Sequence, residues 1–191
     1  MKKLIIATRN THKLGEIREI LSGLPFEILS LPDSCPEVVE DGETFEENAI
    51  KKAKSAFSCT GEISVADDSG LCVDYLNGAP GVYSSRFAPT DKERIEKLLK
   101  LLEGVEWEKR KARFICTVAI AFPNEDIKVV KGEVEGYIAF SPSGRGGFGY
   151  DPIFYLPQYE KTFSQLSDIK NSISHRAKAF LKAREILKEF S

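Results

Sequence analysis

The 191-residue sequence predicts an α/β fold in which helices flank a mixed central β-sheet. Apolar runs alternate with helical stripes over the first half of the chain, which is typical of strands joined by helices. Two longer apolar runs in the second half flank the turn-forming residues 123–126 and predict an antiparallel hairpin. No internal repeat or low-complexity linker divides the sequence. We therefore interpret residues 1–191 as one domain.

The elements of the first half follow from local signals. The apolar run 3–8 predicts a first strand, and Asn10 or Thr11 can cap the helix that follows it. Residues 26–31 predict a second strand. Thr44, with Glu47 three residues later, forms a capping box that begins a second helix.

The second half carries signals of the same kind. Gly61 is expected to end the second helix, and a strand over residues 63–66 is expected to run directly into Asp67-Asp68-Ser69-Gly70 and to end there. A second capping box, Thr90 and Glu93, precedes another helix. The hairpin strands are predicted at residues 112–122 and 127–140, and a closing helix follows at residues 174–190.

Composition excludes several classes of protein. The net charge of −2 argues against a surface built to bind nucleic acid, so an anionic ligand must be met by locally placed lysines and arginines. No apolar stretch approaches the length of a membrane span or of a signal-peptide core. The scattered cysteines predict reduced thiols in a cytoplasmic protein and argue against a structural zinc site.

The segment Thr8-Arg9-Asn10-Thr11-His12-Lys13 places a polar turn between the first strand and the first helix. Free backbone N–H groups and the positive end of a helix suit a phosphate, and Lys13 adds a full charge. The segment lacks the glycines and the GK[ST] sequence of a P-loop. The alternative interpretation is an ordinary helix cap with a solvated lysine.

Glu40, Asp67 and Asp68 form an acidic set. Mg²⁺ is usually held by one or two carboxylates together with substrate phosphates, so this set can form a metal site. Neighbouring residues of a strand point to opposite faces, so only one of Asp67 and Asp68 is expected to face a given cleft. The alternative is a turn, in which aspartate is common in any case.

The glycine-rich segment 143–152 carries Phe148, Gly149, Tyr150 and Asp151. Glycine lets the backbone approach a flat ligand, an aromatic ring can stack on a base, and Asp151 can read the edge of that base. The alternative is a loop whose aromatic rings pack on the core.

Lys170 and the Ser174-His175-Arg176 sequence form the last group. Positive residues at the start of a helix oppose its dipole, so a nearby anion or carbonyl is expected there. The alternative is an amphipathic helix with a polar first turn.

Taken together and in this order, these motifs resemble the inosine/xanthosine triphosphate pyrophosphatase family. The resemblance runs from Leu4 to about Leu187. The strings that carry it are ATRNTHK at 7–13, TFEENA at 44–49, ADDSGL at 66–71, GAPGVYSSR at 78–86, GGFGYDP at 146–152 and SHR at 174–176.

The resemblance implies a two-lobed protein with a central cleft, usually a homodimer. It implies a Mg²⁺-dependent enzyme that hydrolyses ITP, dITP or XTP to the monophosphate and pyrophosphate. Asp68 matches the proposed general base and metal ligand, Glu40 matches the other acidic metal position, and Asp67 receives no role. The positions that match substrate-binding residues are Thr8, Arg9, Asn10, Thr11, His12, Lys13, Lys52, Ser69, Phe148, Gly149, Tyr150, Asp151, Lys170, His175 and Arg176.

Overall fold

A seven-stranded mixed sheet runs through the computed structural model, which describes residues 1–191. The strands are β1 Lys2–Ile6, β2 Phe26–Ser30, β3 Ile63–Val73, β4 Lys111–Ala121, β5 Ile127–Ile138, β6 Phe154–Leu156 and β7 Lys161–Thr162. Their order across the sheet is β2-β1-β3-β4-β5-β6-β7. β1 pairs in parallel with β2 and β3, whereas all later pairs are antiparallel. The α/β class and the mixed sheet are therefore confirmed.

The helices are α1 Thr11–Ile20, α2 Phe45–Thr60, α3 Asp91–Leu101, α4 Lys170–Ile173 and α5 His175–Glu189. None of them is both long and apolar enough to cross a membrane. The Thr90–Glu93 capping box is present as predicted. At α2 only half of the box forms: Thr44 accepts from Glu47 N, but the Glu47 carboxylate accepts from the backbone N–H of Glu43. Gly61 ends α2 in the left-handed conformation.

Two large apolar clusters lie at opposite ends of the sheet and form the cores of two lobes. The first packs α1 and α5 against β1 and the end of β4, with Leu4, Ile17 and Phe180 at its centre. The second packs α3 against the far ends of β3 and β4, around Leu98 and Phe154. Because one sheet passes through both clusters, the lobes share a continuous floor.

The strand end predicted at Asp67 and Asp68 is wrong, and the turn given as the alternative is absent, because β3 continues to Val73. Its residues from Ser64 to Val73 pair in register with β4. Gly70 serves close packing: a Cβ there would collide with the Gly81 carbonyl oxygen and the Ser84 hydroxyl. The Ser-Gly sequence therefore marks a close approach of two backbone segments and not a turn.

The expectation that all cysteines are reduced is wrong for this structure. Cys35 and Cys59 form a disulfide that ties the segment after β2 to the end of α2. Cys72 and Cys116 are free thiols, and Cys116 is buried beneath the cleft described below. The spacing of the cysteines carried no signal for the pair, because the pairing depends on how β2 and α2 pack.

Candidate active site

A cleft of about 670 Å³ opens between the two lobes, above the middle of β3. Its walls come from the β1–α1 turn, the segment before α2, the first turn of α3, the loop before residue 152 and the starts of α4 and α5. The cleft is lined by every residue predicted for the site: Thr8, Arg9, Asn10, Thr11, His12, Lys13, Glu40, Lys52, Asp68, Ser69, Phe148, Gly149, Tyr150, Asp151, Lys170, His175 and Arg176. The structure thus gathers motifs that are far apart in sequence.

The β1–α1 turn is held by its own side chains. The Asn10 Oδ1 atom accepts from the backbone N–H groups of His12 and Lys13, at 3.0 and 3.1 Å, and thereby caps α1. Thr8 Oγ1 accepts from Asn10 N at 3.1 Å. Two of the amides predicted to be free are therefore occupied by the cap, so an anion would meet side chains first or displace Asn10.

Lys13 is not the solvated lysine of the alternative interpretation. Its side chain is only 17% exposed, and its Nζ lies 3.1 Å from Asp67 Oδ2. Arg9, on the same turn, donates to the carbonyl oxygen of Cys35 at 2.8 Å. The turn therefore carries two cations, each held in place by a partner from another element.

The two neighbouring aspartates of β3 face opposite ways, as strand geometry predicts. Asp68 lines the cleft, whereas the Asp67 side chain is 1% exposed and lies beneath it. Burial alone would raise the pKa of Asp67, but the charges of Lys13 and Arg176 outweigh burial and hold this pKa well below its usual range. Asp67 is thus a fixed anion within the cleft floor.

Asp68 has a different environment. Asn48 Nδ2 donates to its Oδ2 at 3.0 Å, and Lys52 Nζ lies 3.9 Å from its Oδ1. Burial raises the pKa of Asp68 above its ordinary value, although Lys52 and Asn48 oppose this shift. A carboxylate whose pKa is moved toward neutrality is better matched to taking a proton from water.

Lys52 joins the two predicted metal ligands. Its Nζ lies 2.6 Å from Glu40 Oε1 and 3.9 Å from Asp68 Oδ1, so both carboxylates surround one cationic group. Burial alone would lower the pKa of Lys52, but the charges of Asp67, Asp68 and Glu40 raise it. No group of three or more His, Cys, Asp or Glu side chains surrounds a common point, so the protein alone supplies two candidate oxygen ligands here.

The loop before residue 152 gives each of its aromatic rings a different role. Phe148 lies in the cleft and stacks on His12, with ring centroids 5.2 Å apart. Tyr150 packs into the core and donates its hydroxyl to the carbonyl oxygen of Ser84 at 2.7 Å, as the alternative interpretation of the loop had it. Of these two rings, Phe148 is therefore the one placed to stack on a ligand.

Asp151 is buried beneath the loop. Its Oδ2 accepts from Phe148 N at 3.0 Å and from Lys170 Nζ at 2.7 Å. Burial raises the pKa of Asp151 despite the opposing charge of Lys170. Gly147 has a positive φ of 71°, and a Cβ there would collide with the Asp151 carboxylate, so glycine is required at this position.

The positive residues at the start of α5 meet the anion that their position predicts, and α1 supplies it through Glu16. Arg176 is 2% exposed; its Nη1 donates to Glu16 at 2.5 Å, and its Nη2 donates to Ser69 Oγ at 3.0 Å. Lys170 donates to the other oxygen of Glu16 at 2.8 Å. His175 is buried and stacks on Phe114 with centroids 4.6 Å apart.

The sequence analysis missed two residues that organise this site. Glu16 joins Lys170 to Arg176, and the two charges lower its pKa even though burial opposes them. Asn48 is 1% exposed, donates to Asp68 and accepts from Gly42 N. Asn48 had a usable signal, because a buried-face position of α2 is otherwise filled by apolar residues. Glu16 had none, since its partners are more than 150 residues away.

The fold and the cleft together define an α/β protein with a charged cleft between its lobes that suits a phosphorylated ligand. The chain belongs to the Ham1 family, whose model matches residues 4–186. It is 52% identical to the dITP/XTP pyrophosphatase of Desulforamulus reducens over 191 residues, which cover 97% of this chain and 95% of that protein. It is 48% identical to the dITP/XTP pyrophosphatase of Bacillus subtilis over 98% of both chains.

Solved structures give the same relationship. A HAM1 protein from Coxiella burnetii superposes with a TM-score of 0.91 at 42% identity, covering 99% of this chain and 100% of that one. A nucleoside-triphosphatase, dITP/XTP pyrophosphatase, from Mycobacterium abscessus gives a TM-score of 0.74 at 36% identity, covering 98% and 97%. The family resemblance and the two-lobed α/β fold predicted from the motifs are thus confirmed.

Proposed function

We propose that this protein hydrolyses non-standard purine nucleoside triphosphates, such as ITP, dITP and XTP, to the nucleoside monophosphate and pyrophosphate. The observation that carries the proposal is one cleft lined by two different groups of side chains. The relatives named dITP/XTP pyrophosphatase support the same activity. What we call the phosphate side of the cleft is formed by Lys13, Lys52, Glu40 and Asp68. What we call its base side is formed by Phe148, Asp151, Lys170, His175 and Arg176.

The phosphate side supplies what hydrolysis of the α–β phosphoanhydride requires. Lys13 and Lys52 can neutralise charge on the leaving pyrophosphate, which carries the β and γ phosphates. No Ser-His-Asp or Cys-His arrangement suggests a covalent intermediate, so water is the simplest nucleophile. Asp68, which stands in the cleft wall, is the group to accept the proton of that water.

Mg²⁺ fits the donor set of the phosphate side. Glu40 and Asp68 offer hard oxygen ligands. The two carboxylates already surround one cation, the Lys52 ammonium. Two carboxylates match the usual protein contribution to a Mg²⁺ site, which substrate phosphates and water complete. When bound, the ion would supply positive charge to the phosphates. Lys52 would then exchange its carboxylate partners for phosphate oxygens.

Selectivity for the base is assigned to the base side. Hypoxanthine and xanthine carry an oxygen at C6 and a hydrogen on N1, whereas adenine carries an amino group at C6 and a bare N1. Arg176, with His175, would donate to O6, and Asp151 or a nearby carbonyl would accept from N1–H. With adenine, the C6 amino group would meet the donors of the protein and the bare N1 would meet the acceptor. Such a mismatch can lower kcat/KM for the wrong substrate by about 10⁴-fold. Phe148 would stack on either base.

A pyrophosphate-release assay over a panel of nucleotides, with and without Mg²⁺, tests this function. We expect pyrophosphate from ITP, dITP and XTP, little from ATP, and none without the metal; Glu40→Gln should raise the Mg²⁺ requirement. A preference for modified pyrimidine nucleotides would instead indicate a related pyrophosphatase of the same class. Binding without release would indicate a nucleotide-sensing module, which needs the basic and aromatic residues but not the acidic set.

A homodimer and a cytoplasmic location complete the proposal. The dimer is supported by the resemblance of the motifs, and light scattering at micromolar concentration tests it; a monomer mass would contradict it. Cell fractionation tests the location. Because Cys35 and Cys59 form a disulfide, the cysteines do not support a cytoplasmic location.

A further inference from the structure

An unbroken series of ionic side chains runs along the floor of the cleft and joins the phosphate side to the base side. Positive and negative groups alternate along it, and each contacts the next at between 2.5 and 3.6 Å. Its members, in spatial order, are Lys13, Asp67, Arg176, Glu16, Lys170 and Asp151. Three cations face three anions, so the series is neutral, as a buried network must nearly be.

Asp67 is the point at which the two sides meet. A single oxygen, Oδ2, lies 3.1 Å from Lys13 Nζ and 3.6 Å from the Arg176 guanidinium. The Cys116 thiol lies 3.8 Å from the same oxygen. Because the Asp67 side chain is 1% exposed, water cannot replace any of these partners without a rearrangement of the floor.

The geometry excludes Asp67 from the chemistry assigned to Asp68. The strand alternation turns its carboxylate away from the cleft, and its charge is already shared by two cations. A rigid anion between a phosphate-binding lysine and a base-reading arginine has a different use. It fixes the distance between them, because both must approach the same oxygen atom.

We propose that Asp67 is a positioning residue that couples Lys13 to Arg176, so that the occupancy of one side of the cleft sets the geometry of the other. The proposal rests on the proposed function, since it assigns a role within the same site. Its physical basis is that groups sharing one buried ionic partner do not contribute independently to binding. Loss of Lys13 would let the Asp67 carboxylate shift toward Arg176 and displace the guanidinium from the base.

Binding of inosine monophosphate tests the coupling sharply, because this nucleotide lacks the β and γ phosphates that Lys13 is proposed to hold. We expect Lys13→Ala to weaken binding of inosine monophosphate by roughly threefold or more, as measured by titration calorimetry, through Asp67 and Arg176. Lys52→Ala is the matched control. It removes a second lysine of the phosphate side that makes no hydrogen bond to Asp67, so it should weaken this binding less than Lys13→Ala does.

The same comparison in an Asp67→Asn background completes a double-mutant cycle between Lys13 and Asp67. This substitution keeps the shape of the side chain but removes its charge, so the variant itself should bind both pyrophosphate and inosine monophosphate more weakly. In this background Lys13→Ala should no longer alter inosine monophosphate binding. Val118→Ala, at the β4 position paired with Asp67, controls for a general loss of stability and should change neither affinity.

Equal effects of Lys13→Ala and Lys52→Ala on inosine monophosphate binding would overturn the proposal, as would an undiminished effect of Lys13→Ala in the Asp67→Asn background. If Asp67→Asn does not fold, the comparison of the two lysine variants decides alone, because both retain the buried carboxylate. Pyrophosphate release from ITP by the unaltered protein is measured alongside. Its absence would refute the proposed function, whereas the lysine comparison reads the coupling by binding alone.

Discussion

The two sides of the cleft differ in how far their charges are removed from water. On the phosphate side the side chains of Lys13, Lys52 and Glu40 are 17%, 16% and 38% exposed. On the base side those of Lys170 and Arg176 are 4% and 2% exposed. Groups that keep contact with water can exchange partners when a polyanion and a metal arrive. Groups that are fully desolvated hold one geometry, which is what discrimination between two bases requires.

The largest effect is expected on the phosphate side. Asp68→Asn keeps the shape of the side chain and its place beside Asn48 but removes the group that takes the proton. Turnover of ITP should fall by about 10²–10⁴-fold, the usual contribution of general acid–base catalysis, while the thermal unfolding midpoint stays close to that of the parent protein. Steady-state kinetics in saturating Mg²⁺ measure this change. Near-normal turnover would remove Asp68 from the mechanism.

The lysines of the phosphate side should show the next largest effect. Lys13→Ala and Lys52→Ala each remove hydrogen bonds to a charged phosphate, which are typically worth about 1.5–3 kcal/mol. Binding of a non-hydrolysable triphosphate should weaken by roughly tenfold to a hundredfold, far more than binding of the monophosphate. Titration calorimetry with both ligands is the measurement. Equal losses for the two ligands would show that these lysines do not hold the β and γ phosphates.

The β1–α1 turn was easier to predict from the sequence than the ionic contacts of the base side. The β1–α1 turn is a local structure: Asn10 caps its own helix, and the residues of the turn enter the cleft together. The base side is assembled over long distances, since Glu16 reaches Lys170 and Arg176 across more than 150 residues. Local patterns contain no information about such a partner, so Glu16 was not predicted.

The acidic pair shows where local information misleads. The Asp-Asp-Ser-Gly sequence has the composition of a turn, yet it lies in the middle of β3 because β4 pairs with it over its whole length. Tertiary pairing overrides the local preference. The period-two alternation still separates Asp67 from Asp68 correctly, because it depends on strand geometry and not on where the strand ends.

A smaller effect is expected on the stability of the protein. It arises from His175, a buried group of the base side, and tests how fully that side is removed from water. Burial, together with the charges of Arg176 and Lys170, holds the pKa of His175 well below the ordinary value of 6.5. Below this pH the His175 imidazole therefore binds a proton in the unfolded chain but not in the folded protein. The contribution of His175 to the free energy of unfolding is therefore fully present above pH 6.5. It declines as the pH falls below that value, by at most about 1.4 kcal/mol per pH unit.

Denaturant unfolding at about pH 7.5 and about pH 5.5, one unit on either side of the ordinary histidine pKa, tests the role of His175. The parent protein should lose more free energy of unfolding between the two values than His175→Gln, whose side chain does not titrate. The comparison cancels the loss of stacking on Phe114, because that loss is present at both pH values. The same pH dependence in both proteins would mean that His175 is not buried in its neutral form.

The central claim is that the base side selects the nucleotide while the phosphate side accepts any triphosphate. The direct measurement is kcat/KM for ITP and for ATP in the parent protein, Lys52→Ala, Phe148→Ala and Arg176→Ala. Lys52→Ala and Phe148→Ala should lower both values and nearly preserve their ratio, Phe148→Ala by about 1–3 kcal/mol of lost stacking. Arg176→Ala should collapse the ratio, mainly by losing ITP. An unchanged ratio in Arg176→Ala would contradict the account and place selectivity elsewhere in the cleft.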